Sequence, residues 1–217
     1  MTRQRLTREE SRDQTRQRLL DAAQPLIAEK GLVATSVEDI ADAAGYTRGA
    51  FYSNFGSKND LFIELLRRDH QKANDEFVAV FTDETPVEQI RARTREIYGR
   101  LYRDNECFMN WTEARMLAAR DADFATKLSA LMSEKRAQIA QFIGYFYQRL
   151  GVTPPTSTDD MAMGLMSLVE GVKLFMLSSP AETSDAQAEA VLGLFIDSIM
   201  ELACLRAQSA TANNSAL

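Results

Sequence analysis

The stretch from Thr35 to Lys58, T-S-V-E-D-I-A-D-A-A-G-Y-T-R-G-A-F-Y-S-N-F-G-S-K, constrains this chain more than any other. It predicts two short helices joined by a tight turn. Thr35 with Glu38, or Ser36 with Asp39, has the spacing of a capping box and opens a helix that runs to Ala44. Gly45 can take the left-handed conformation of a sharp helix exit, and Thr47 is placed to cap a second helix over about Arg48 to Asn54. Val37, Ile40, Ala41 and Ala44 share one face of the first helix, against which Ala50, Phe51 and Phe55 can close a small core. Two helices crossing steeply over so short a turn form a helix-turn-helix.

The second helix gathers polar groups on its outer side: Thr47, Arg48, Gly49, Tyr52, Ser53 and Asn54. In the major groove Arg reads guanine, Ser and Thr read or position, and Gly permits close backbone approach. Thr35 and Ser36 offer hydroxyls to a phosphate, and Lys58 offers a further cation. These nine residues form the expected contact set for a double-stranded DNA operator. On residue chemistry alone an ordinary helical hairpin with a polar rim remains open.

The run A-A-x-x-L-I-A-E-K-G from Ala22 to Gly31, followed by the Thr35 to Lys58 stretch and N-D-L, resembles the DNA-binding domain of the TetR family of transcriptional regulators. The likeness covers about Arg12 to Leu66. It rests on Gly45 and Gly49 around the turn, the pair Phe51-Tyr52, Phe55, and Ser57-Lys58 before the next helix. It implies an all-α homodimeric repressor of about nine helices, whose larger C-terminal helical domain binds a small-molecule inducer. The implied division is a basic arm over 1–11, a three-helix DNA-binding domain over 12–57, a ligand-binding and dimerisation domain over 58–206 and a disordered tail over 207–217. Pro25 departs from the pattern and predicts a kink near Asp21 to Pro25.

Charge placement agrees with DNA at one end only. The 217 residues carry a net charge of −6, yet the segment to Lys58 holds nine cationic side chains against eight acidic ones. Arg3, Arg5, Arg8, Arg12, Arg16 and Arg18 crowd the first twenty residues, and the acidic excess lies beyond Lys58. Cys107 and Cys204 are far apart in sequence and suggest no disulfide framework. No signal-peptide pattern and no run of 18 apolar residues occurs, so the expectation is cytoplasmic, with no membrane partner.

The rest of the chain predicts helix after helix. Ser57 caps a long helix with Phe62, Leu66, His70 and Phe77 on its inner side, and Thr85-Pro86 opens the next with Pro at its first position. Gly151 and Pro154-Pro155 mark the clearest linker. From Met161 to Leu177 the apolar residues run nearly all round, and the last helix carries Val191, Leu194, Phe195, Ile199 and Leu202. More apolar surface than one copy can cover predicts a homodimer interface through Leu165, Leu168, Val172, Val191, Leu194, Phe195 and Ile199.

A ligand cavity is expected from the aromatic and thioether excess of the central helices. Phe62, Leu66, His70, Tyr98, Tyr102, Phe108, Trp111, Phe142, Phe146, Met166 and Glu170 are its candidate lining. Glu113 and Glu170 could also meet a cationic ligand. Neither cysteine pairs with the single histidine in a catalytic or metal-ligand pattern, and no phosphate-binding glycine loop occurs. The expectation is a ligand-released repressor without cofactor, metal or enzymatic activity. A DNA-binding architectural or activator protein without an inducer stays as the alternative.

Overall fold

The computed structural model describes residues 7–179 and 184–214, without the side chains of Tyr102 and residues 210–214. Nine α-helices occupy them: α1 Arg8–Ala34, α2 Val37–Ala43, α3 Arg48–Asn54, α4 Lys58–Val80, α5 Val87–Arg103, α6 Asn105–Ala118, α7 Ala122–Arg149, α8 Thr158–Ser178 and α9 Asp185–Asn214. No strand occurs among the described residues, and the all-α expectation holds. Arg3 and Arg5 of the expected basic arm lie outside them.

Two compact units divide the chain, one within Met1–His70 and Asn105–Ala130, the other within Gln71–Asp104 and Leu131–Leu217. The first therefore holds α1 to α3, most of α4, α6 and the head of α7, rather than ending at residue 57. Its core joins Leu19, Leu20, Ala23 and Ile27 of α1 to Ile40, Ala41, Phe51, Phe62, Leu65, Trp111 and Phe124. Phe62 and Phe124 stack with ring centroids 5.9 Å apart.

Helix ends in this unit follow local chemistry. Thr7 and Glu10 form a capping box that carries α1 back to Arg8, through part of the expected arm. Around Pro25 the dihedrals stay helical. The break comes instead at Gly31, whose φ of 79° and ψ of 160° lie where essentially only glycine is found. Proline has no N–H to donate, and the ring is tolerated in this interior position without leaving the helical basin.

The second unit is built from the end of α4, α5, most of α7, α8 and α9. Phe77, Ile90, Ile97, Phe146, Tyr147, Ala162, Leu165, Ile196 and Met200 form its core. Pro86 sits at the N-cap of α5 rather than inside its first turn. Ser157 caps α8 by accepting from the Asp160 N–H, and Gly151 takes a φ of 67° at the end of α7. Through residue 214 the expected tail is a continuation of α9.

Candidate nucleic-acid interface and apolar cavity

Ser36 rather than Thr35 is the N-cap of α2. Its Oγ accepts from the Asp39 N–H at 3.0 Å while the Asp39 carboxylate accepts the Ser36 N–H at 3.0 Å. Lys30 donates to the same carboxylate at 2.8 Å, and these contacts, Lys30 first, hold the Asp39 pKa down at about 2. Gly45 turns the chain with φ 74°, and Thr47 caps α3 through the Ala50 N–H.

This frame leaves one face of α3 in solvent. Thr47, Arg48, Gly49, Tyr52 and Ser53 are exposed, while Phe51 beneath them is fully buried. Arg48 is held from two sides, by Glu38 of α2 at 2.7 Å and by the Tyr52 ring, whose centroid lies 5.5 Å from its guanidinium carbon. A Cβ added at Gly49 would meet only the Thr47 hydroxyl, at 3.7 Å, so the fold has no need of glycine there.

Three other members of the expected contact set are engaged within the protein. Thr35 is fully buried, its hydroxyl donating to the Gly31 carbonyl at 2.8 Å. The Lys58 ammonium donates to the carbonyls of Leu32 and Thr35, each at 2.6 Å, and weakly to that of Val33. It thus caps the end of α1, and burial lowers its pKa. The Asn54 amide donates to the Ala50 carbonyl at 2.8 Å. Arg16, one of the arginines crowded near the N-terminus, donates to the Asn54 carbonyl, pairs with Glu64 and lies over the Phe55 ring.

Sequence reasoning offered Glu113 to a cationic ligand and missed its bond to the backbone of α1. Where Gly31 breaks α1, the Leu32 N–H loses its helical acceptor, and Glu113 Oε1 of α6 accepts it at 2.9 Å. A contact between residues 81 positions apart leaves no local signal.

Within the second unit, an apolar cavity of about 50 Å³ is lined by Phe77, Phe81, Thr94, Tyr98, Ile139, Phe142, Ile143, Phe146, Tyr147, Leu165, Ile196, Ile199 and Met200. Of the expected ligand set it brings together Tyr98, Phe142 and Phe146. Phe62 and Leu66 are fully buried in the first unit, His70 is nearly so, Trp111 is 6% exposed there and Phe108 is half-buried on the same helix. Met166 and Glu170 are half-buried on α8 outside the cavity lining, and the side chain of Tyr102 lies outside the described residues. A polar groove of about 470 Å³ lies between α5 and α9, bordered by Arg95, Glu96, Arg103 and Glu189, and shares Tyr98 and Ile196 with the cavity.

Apolar surface is left uncovered on α8 and α9. Phe175 is 70% and Leu194 69% exposed, with Met163, Leu174, Val191 and Leu205 each near half. Of the expected interface residues, Val191 and Leu194 lie on this face. Leu165 and Ile199 line the cavity, Leu168 and Val172 pack against Ala188 and Leu192, and Phe195 is half-buried on the core. By length and composition α8 could cross a membrane, the only described helix that could.

Residues 19–65 match the model of the tetR family of bacterial regulatory proteins. The HTH-type transcriptional regulator AcrR of Shigella flexneri is 48% identical over 61 residues, 28% of this chain and 28% of the relative. The HTH-type transcriptional repressor KstR2 of Rhodococcus jostii is 54% identical over 52 residues, 24% of this chain and 26% of the relative. The chain thus matches about a quarter of the length of these curated relatives. The crystal structure of a transcriptional regulator from Rhodococcus sp. Rha1 shares the fold, with a TM-score of 0.67 at 22% identity, covering 86% of this chain and 96% of that one.

Proposed function

Since its N-terminal domain makes this chain a member of the TetR family of transcriptional regulators, we propose that it is a homodimeric repressor, released from a palindromic operator by a small apolar or aromatic molecule. The observation that carries the reading is the outer face of α3, where Thr47, Arg48, Gly49, Tyr52 and Ser53 stand exposed around a guanidinium steadied by Glu38 and Tyr52. Arg48 exchanges Glu38 for a base edge, and open space beside Gly49 lets the backbone approach the groove. Ser36 and Asn54 border this face, whereas Thr35 and Lys58 support it from within.

Two copies are needed because a palindrome presents its half-sites about one helical turn apart. The exposed apolar face of α8 and α9, with open space at Gly164 and Gly171, supports pairing of one copy with another. Such pairing would account for the apolar character of α8 without a membrane, as expected of a cytoplasmic regulator.

Induction draws on the aromatic cavity. α4 begins with Lys58 pinned to the end of α1 and finishes with Phe77 in the cavity wall. A ligand that favours the DNA-free arrangement of α4 lowers operator affinity by its differential binding, typically ~1–3 kcal/mol. The alternative, a DNA-binding architectural protein or activator without inducer, draws on the cavity's small volume, well below the roughly 300–1,000 Å³ of ordinary ligand pockets.

The test is titration of the purified protein with DNA from upstream of its own gene and with random DNA at about 0.15 M salt. The repressor reading expects a preference of roughly a thousandfold or more. Equal affinity for both would favour the architectural reading.

A further inference from the structure

Thr94 is a group in the cavity wall that the packing leaves unexplained. It is 5% exposed, and its hydroxyl is buried with no hydrogen-bond partner. The neighbouring hydroxyl of Tyr147 differs, donating to the Ile199 carbonyl at 3.1 Å. No charged side chain lines the cavity, so an ion entering it would lose its hydration without a counter-charge. Phe77, Phe142 and Phe146 offer ring surface instead.

At about 50 Å³ the cavity is smaller than the ~150 Å³ that holds a benzene molecule elsewhere. Tyr98 lines both this cavity and the 470 Å³ groove. A rotation of its side chain toward the groove would widen the cavity.

We propose that the cavity takes a neutral, ring-sized apolar molecule bearing a single hydrogen-bonding group, and that Thr94 anchors this group once the Tyr98 ring moves aside. The inference rests on the ligand-responsive reading above and adds to it the chemical class of the ligand and the residue that selects it. An apolar molecule without the group would leave the Thr94 hydroxyl unsatisfied, and an anionic one would be excluded by a wall of ring faces with no cation.

Three probes of one shape test this on the full chain: toluene, p-cresol and p-toluate, titrated calorimetrically against the wild type, Thr94→Val and Tyr98→Ala. We expect p-cresol to bind the wild type about fivefold more tightly than toluene, the net worth of one ordinary hydrogen bond, and p-toluate not to bind. Thr94→Val should erase the preference, leave toluene affinity unchanged and melt at the same or a higher temperature, since it removes an unsatisfied buried hydroxyl. Tyr98→Ala should bind toluene and p-cresol more tightly and keep the preference. A preference that survives Thr94→Val, a lower melting temperature for that variant, or p-toluate binding as tightly as p-cresol would overturn the proposal. Failure of toluene and p-cresol to bind either the wild type or Tyr98→Ala would sink the ligand-responsive reading itself.

Discussion

Lys58 and Asp39 show how the helix-turn-helix is held to α1. The Lys58 ammonium fills its donors with carbonyls at the end of α1, where a cation meets the negative end of the helix dipole. Lys58→Met should therefore lower unfolding stability by roughly 1–3 kcal/mol and leave the salt dependence of DNA binding unchanged. A shallower salt slope with unaltered stability would return Lys58 to the phosphate-contacting set. For Asp39, the Lys30 ammonium and the Ser36 cap lower the pKa from 3.8 to about 2 in the folded chain. Because the folded value lies below the ordinary one, the stabilisation is complete above about pH 4 and is lost as pH falls toward 2. Asp39→Asn should flatten acid unfolding in that window, as followed by circular dichroism, and an unchanged profile would remove Asp39 from the account.

At the scale of the element, the break in α1 and its neighbour α6 form one device. Gly31 holds a conformation other residues avoid, and a Cβ there would come 3.1 Å from Glu113 Oε1. Gly31→Ala should cost about 1–3 kcal/mol, measurable by urea unfolding. Trp111 on α6 is 6% exposed in the same unit, so Trp111→Ala should cost about 3–5 kcal/mol. A loss under about 1 kcal/mol for either, a magnitude typical of surface substitutions, would contradict the packing described. α2 and α3 were legible because their signals are local: a capping box, Gly45 at the turn, Thr47 at the cap and Phe51 and Phe55 at helical spacing. The environment of α6 was not, because Phe108 and Trp111 are as suitable for a cavity wall as for a core. Distant pairings, of Glu113 with Leu32 and of Asn110 with Gln24, decide which unit holds them. The same holds for Arg16 and Lys58, cations whose partners lie 23 or more positions away.

For the whole molecule, the face of Phe175 and Leu194 on α8 and α9 is too apolar to remain in water. The wild type should sediment as a dimer, and Phe175→Glu or Leu194→Glu should sediment as folded monomers, because both side chains are exposed in the single chain and would be buried by the proposed pairing. A dimer unaffected by either change would move the interface elsewhere. If the exposed face of α3 reads DNA with Gly49 admitting the backbone to the groove, Gly49→Ala separates that role from folding, measured by fluorescence anisotropy on the upstream DNA alongside a thermal melt. The folded chain has room for the methyl group and the helix prefers alanine by up to about 1 kcal/mol. Gly49→Ala should therefore keep or raise stability while operator affinity falls roughly tenfold or more; undiminished affinity in the stable variant would mean that α3 does not read the groove through Gly49.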